Sequence, residues 1–422
     1  MGLSLVTIEP EENATNNEES ASRITRRRLL GTLGTLGAAG AVGAVGAVGG
    51  LSASGVAGIN ADVAGASPLS SQSIISFHGE HQAGIANPAP SHAVVAAFDV
   101  IAPDRAALQA LLESWSLAAS RMTIGLPAGP ALTTARLPND PGEAMGLAPS
   151  ALTITLGVGA SLFGTPEQDR FGLASKRPSN LIDLPAFKGD DLDAQWSGGD
   201  LLVQACAEDE QVAFHAIHAL AARSTAFVKL RWMQSGFLGT SNASSARPPR
   251  NLLGFHDGTV NPSGAELNKV LWVNQGDQRW MHNGSYLVVR RIRTDLAAWD
   301  SEALEEQQET IGRVRSTGAR LDKKSRPNTA HVVQASPEKN NGSQILRRGF
   351  NYSAGALPDG SLDAGLIFLG FGNNPEKQFV AIQQRLSERD ALNEYITHVG
   401  SSIFAILPGA KRGEYLGQSL FS

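Results

Sequence analysis

Asp257 stands in Asn251-Leu-Leu-Gly-Phe-His-Asp-Gly-Thr-Val-Asn-Pro262, an acid set between Gly254 and Gly258 directly after an apolar run. Glycine admits positive φ and lets a large flat ligand come close to the backbone, so an acid held at such a turn is placed for proton transfer. Downstream follow His331, in Thr329-Ala-His-Val-Val333, and Arg347, in Ile345-Leu-Arg-Arg-Gly-Phe-Asn-Tyr352. These three side-chain types meet the needs of peroxide cleavage on a haem iron. An imidazole holds the iron. A base takes a proton from the bound peroxide and returns it to the leaving oxygen. A fixed cation stabilises the charge that develops as the O–O bond breaks. The apolar run at 362–371 supplies walls that limit water. Singly, each residue has an ordinary reading: Asp-Gly is a common turn, His331 an unremarked strand histidine, Arg347 and Arg348 surface charges. The conjunction of three long, ordered motifs is what carries the chemistry.

The rest of the chain must position these groups. Its 422 residues allow one large or two ordinary domains, and 42% hydrophobic with 18% charged residues fits a well-packed body. A net charge of −5 with no basic block beyond residue 30 gives no sign of nucleic-acid binding. The single cysteine, Cys206, excludes an internal disulfide and cysteine-based zinc or iron–sulfur sites, and its strand-like surroundings predict a packed, inert thiol. Residues 1–66 read separately. Thr25-Arg-Arg-Arg-Leu-Leu30 precedes a weakly apolar Gly/Ala/Val/Leu run, too glycine-rich for a membrane anchor and suited to a twin-arginine export signal. Ala64-Gly-Ala66 offers a cleavage site, after which no stable membrane span is expected; an uncleaved anchor ranks second.

Beyond the signal, apolar periodicity predicts strands over 91–101, 151–158, 200–207 and 226–236. A helix capped by Asp104 carries Leu108, Leu111, Leu112, Trp115 and Leu117, and a second over 210–223 carries Val212, Phe214, Ile217 and Leu220. The β-α-β, β-α-β order is the ferredoxin-like unit. It recurs as a strand over 285–292, a Glu-rich helix over 301–314, an extended run near His331, a strand over 362–371, a helix over 376–388 and a strand over 402–407. The expected class is therefore α+β, with an N-terminal half over 67–250, a C-terminal half over 251–422, and a ligand pocket at their junction.

The motifs resemble those of the dye-decolorising peroxidases, in particular their exported, deferrochelatase-type branch. The resemblance spans Gly79-Glu-His-Gln-Ala-Gly-Ile85, Leu184-Pro-Ala-Phe-Lys-Gly-Asp190, Gly198-Gly-Asp-Leu-Leu-Val-Gln204, 251–262, Ile345-Leu-Arg-Arg-Gly-Phe350, Asp390-Ala-Leu-Asn-Glu-Tyr395 and Leu407-Pro-Gly409, with the Gly-x-x-Asp-Gly signature intact. It implies two ferredoxin-like halves enclosing one haem b. It implies His331 as proximal ligand, Asp257 as distal acid–base, and Arg347 as distal cation in preference to Arg348. It implies further that Gly254 and Gly258 lie against the cofactor and that Leu366 and Phe368 line its distal side, their spacing of two placing both on one strand face. Many relatives carry His-x-Arg at the proximal segment, where that arginine helps hold a haem propionate. Here the run is His331-Val-Val333, so that contact must come from elsewhere, with Arg315, Arg320 and backbone near Gly258 as candidates. Asp390 and Glu394 are candidates for the second-nitrogen partner of His331.

The activity implied is oxidation of phenolic or dye-like donors by hydrogen peroxide, in one-electron steps through a ferryl intermediate, after export to the periplasm or beyond. A free aspartate titrates near about 3.9, so an acidic optimum is expected. The alternative is a periplasmic haem- or iron-handling protein that releases iron from haem, with incidental peroxidase activity; a haem-free binding protein ranks third. The resemblance leaves room for a homo-oligomer and for iron-uptake partners. Bulky donors call for electron transfer through aromatics, of which Trp272, Trp280, Tyr286 and Tyr352 lie nearest the motifs, most of them expected in the core. His78, Glu80 and His81 are expected to be structural or pocket-lining, His215 and His218 to sit on a solvated helix face, and His256 to be a tolerant position.

Overall fold

In the sequence of β1 (His92–Val100) hardly a polar residue interrupts the apolar run, and nearly every residue is buried. Val94, Ala96 and Phe98 enter a core shared with helices, whereas Ala93, Val95 and Ala97 enter a second core on the opposite face. A strand buried on both faces needs no polar alternation. The computed structural model describes residues 72–130, 139–239, 248–258, 260–274 and 277–422; the export signal expected over 1–66 lies outside them.

Four strands form the first half: β1, β2 (Thr153–Gly159), β3 (Leu201–Ala207) and β4 (Val228–Phe237). The second half has β5 (Ser285–Thr294), β6 (Leu346–Arg347), β7 (Phe350–Ala356), β8 (Leu362–Gly372) and β9 (Ile396–Ile406). Pairing between these strands is antiparallel. The order β2-β3-β1-β4 in the first half recurs as β7-β8-β5-β9 in the second, the ferredoxin-like arrangement twice over. The halves join at β2–β9 and β4–β7, and since β5 pairs with both β8 and β9 the sheet closes into a barrel. Closure removes exposed edges.

Among the described residues seven α-helices complete the fold: α1 (Arg105–Met122), α2 (Glu210–Ala222), α3 (Gly264–Leu271), α4 (Leu296–Ser301), α5 (Leu304–Ile311), α6 (His331–Gln334) and α7 (Ala381–Arg389). Asp104 caps α1 by accepting from the Ala107 N–H, and Asp209 caps α2 through the Val212 N–H. Leu117 and Phe214 turn out exposed, each two residues past a buried neighbour and so on the opposite helix face. The expected helix over 301–314 is the shorter α5, preceded by the separate α4, and α7 is preceded by one π-helical turn, Glu376–Val380. His331 opens a helical turn instead of an extended run. Among the described residues no helix is long and apolar enough to cross a membrane.

Candidate active site

Between the outer face of β5 and β8 and the layer formed by α5, α6 and α7 lies a solvent-connected cavity. Asp257, Gly258, His331, Arg347, Leu366 and Phe368 all line it. Gly254 does not; its φ of +84° instead turns the motif loop. Apolar side chains make up most of the wall, including Phe255, Ile292, Phe379 and Leu386.

His331 is fixed from behind. Its Nδ1 donates to Asp390 Oδ2 at 2.6 Å, and Asp390, almost fully buried, also accepts the Leu392 N–H as cap of the turn that follows α7. That turn selects Asp390 over Glu394. With Nδ1 engaged, Nε2 is the ring nitrogen left for the cavity. Burial pulls the His331 pKa down, but the Asp390 carboxylate outweighs it and the net direction is up. A carboxylate behind an imidazole raises ligand basicity and fixes the tautomer.

Asp257 and Arg347 form a second couple. The Asp257 N–H donates to Pro249 O, and its Oδ1 accepts the Gly258 N–H at 2.6 Å. Arg347 Nη1 approaches Asp257 Oδ1 at 3.8 Å, an ion pair too long for a hydrogen bond. Asn261 links the two segments: its Nδ2 donates to Arg347 O at 2.8 Å, and its Oδ1 accepts the Arg347 N–H at 3.1 Å. No role was read for Asn261 in the sequence, although it lies inside the signature. Arg348 points the other way, into the barrel, where it donates to the carbonyls of Ile85 and Asn87. Adjacent strand residues face opposite sides.

A third group is cationic. Arg313 and Arg320 pair across a β-bridge and both line the cavity. Burial lowers the Arg313 pKa, and the like charges of Arg320, Arg347 and Arg326 lower it further. Such a cluster is suited to two propionate carboxylates. Arg315, a sequence candidate for that contact, instead donates to Gln307 Oε1 and lies off the wall. The donor set therefore fits haem: one oriented imidazole, flat apolar walls, a carboxylate–guanidinium couple and an arginine cluster. At the far end Arg290 is buried against Asp190 and Ser401. Burial, with Arg290 nearby, pushes the His398 imidazole down to about 3.

The histidines expected to be bystanders divide. His81 stacks on Trp272 at 3.7 Å and bonds Asn283 O; His78 and His256 bond the Ala410 and Pro248 carbonyls. His215, expected on a solvated face, is buried: Nδ1 meets Glu143 Oε2 at 2.8 Å and Nε2 lies 3.4 Å from Asp140, while His218 contacts the other oxygen of Glu143. The covering carboxylates come from a loop some seventy residues upstream, which helix periodicity cannot reveal. Among the described residues no cluster of His, Cys, Asp and Glu suits a metal ion. Trp272, Trp280, Tyr286 and Tyr352 are all buried, as is Cys206, whose pKa burial pushes up.

Residues 82–238 match the family model described as Dyp-type peroxidase, N-terminal, and residues 248–411 match Dyp-type peroxidase, C-terminal. A deferrochelatase of Escherichia coli O157:H7 is 37% identical over 381 residues, covering 84% of this chain and 89% of its own. Ferric DtpA from Streptomyces lividans superposes with a TM-score of 0.77 at 38% identity, over 83% of this chain and 98% of its own. A DyP-type peroxidase from Cellulomonas bogoriensis gives 0.75 at 34% identity, over 83% and 99%. The chain belongs to the Dyp-type peroxidase family and is a haem-dependent peroxidase.

Proposed function

We propose that this peroxidase uses the cavity residues in the following roles, with hydrogen peroxide as oxidant and small phenolic or dye-like molecules as electron donors. His331 would hold the iron through Nε2, oriented by Asp390. Arg313 and Arg320 hold the propionates. Haem, when bound, supplies the iron at which peroxide is reduced and stores the oxidising equivalents that two donor molecules satisfy one electron at a time. Asp257 accepts a proton from the inner peroxide oxygen and delivers it to the outer one. Arg347 stabilises the negative charge on the departing oxygen. Leu366 and Phe368 keep water from the distal side. The observation that supports this most is that the Asp257–Arg347 couple and the Asp390-backed His331 open onto one apolar cavity.

Asp257→Asn keeps the shape of the side chain and removes its basicity. We expect stopped-flow spectra to show the reaction with peroxide slowed by about 10²–10⁴-fold, the usual contribution of general acid–base catalysis; an unchanged rate excludes Asp257 from proton transfer.

A second reading draws on the name deferrochelatase carried by relatives at 37% identity: release of iron from haem in the same cavity. Iron freed from added haem, compared with peroxide turnover, separates the two. We also assign the halves to 67–250 and 251–422, and residues 1–66 to a twin-arginine export signal that directs the protein to the periplasm or beyond. The arginine cluster ahead of the glycine-rich apolar run supports that assignment.

A further inference from the structure

Helix α7 presents two contrasting faces. Ile382, Gln383 and Leu386 line the haem cavity, whereas Ala381, Arg385 and Arg389, spaced four apart on the other side, line a second, open groove. Lys377 from the π-helical turn and Lys339 from the Pro337–Lys339 turn complete its wall. Four cations thus face one groove in a chain whose net charge is −5. None of the four has an ion-pair partner among the described residues. The single acid lining the groove, Glu388, is engaged by Gln384. Glu338 and Glu376 precede the two lysines in sequence but do not line it. Ser343 belongs to both cavities, and its hydroxyl donates to Lys377 O, tying the groove floor to the haem-cavity rim.

We propose that this groove is a docking site for small organic polyanions, carboxylated or sulfonated, that serve as electron donors. Lysine and arginine side chains held around a common concavity bind such groups by charge-assisted hydrogen bonds, and α7 has the groove on one face and the haem cavity on another. The donor has no need to enter the apolar haem cavity. Each docked donor gives up one electron and leaves as a radical; two electrons and two protons convert one hydrogen peroxide into two waters. The assignment of the occupant as a donor rests on the peroxidase reading, whereas its binding does not.

The test is equilibrium binding of a disulfonated anthraquinone dye to the haem-loaded protein without peroxide, followed by dye fluorescence or calorimetry. Wild type should bind the dye, more weakly as salt rises. Lys339→Glu/Arg385→Glu should lose at least tenfold in affinity, and the milder Arg385→Gln should lose less. Lys229→Glu, a charge reversal on exposed β4, should bind as wild type. In turnover, the groove double variant should raise the KM for the dye far more than that for a neutral phenol. Equal binding by wild type and the double variant, with the Soret band and circular dichroism intact, overturns the proposal. Displacement of the dye by inorganic phosphate at equal concentration also overturns it, since the groove would then be a simple phosphate site. If the holoenzyme fails to oxidise the neutral phenol with peroxide, the peroxidase reading falls and the dye-binding result still decides the groove.

Discussion

At 3.8 Å from each other, Asp257 and Arg347 satisfy each other only electrostatically, so both keep bonding capacity for a third group in the cavity. His331 is the opposite case, its Nδ1 fully committed to Asp390. Motif spelling made all three residues legible, because each lies in a long local pattern. Arg313 escaped notice because its value depends on Arg320 standing across a bridge and on the cavity behind both. His398 carries a further consequence at this scale. In the fold its imidazole, pushed down to about 3, stays neutral where the unfolded chain takes up a proton near about 6.5. The unfolded state therefore binds more protons in that window, and stability present above about pH 6.5 is lost as pH falls toward 3. Denaturant midpoints measured across this range should decline for wild type and decline less for His398→Asn; parallel slopes would remove His398 from the acid response.

The site is assembled from elements that meet only through the fold. The loop carrying Asp257 and the strand β6 carrying Arg347 are held in register by Asn261 alone among side chains bonded to the Arg347 backbone. Asn261→Ala should lower stability by about 1–3 kcal/mol, the cost of leaving buried backbone groups unpaired, and should also slow the peroxide reaction. Normal kinetics together with lost stability would make Asn261 a structural tie only. The main elements were legible from apolar runs and caps; Asp104 and α1 are an example. Others were not, β7, α3 and α4 among them. β9 begins at Ile396, earlier than the apolar run, because Thr397, His398 and Gly400 carry no strand signature and pair with β5 only in context. The two-residue β6 is too short for any periodicity. α6 is a single turn, and β-branched Val332 and Val333 after His331 favour a strand locally until the Asp390 contact and neighbouring helices override them.

For the whole molecule, the repeated strand order and closure at β2–β9 and β4–β7 make one barrel of two similar halves. Among the described residues only the second half lines the haem cavity, which explains why the motifs with chemistry lie beyond residue 250 while the N-terminal motifs do not line it. Export belongs to this scale too. Changing Arg26 and Arg27 to Lys should leave the unprocessed chain in the cytoplasm when cell fractions are probed with antibody; undiminished export would exclude the twin-arginine route.

The most direct measurement is a haem titration of wild type and His331→Ala, read at the Soret band. Wild type should saturate at one haem per chain and change spectrum on adding stoichiometric peroxide, and the variant should retain little haem. A variant that holds haem as tightly as wild type, with the same spectrum, would contradict imidazole ligation by His331.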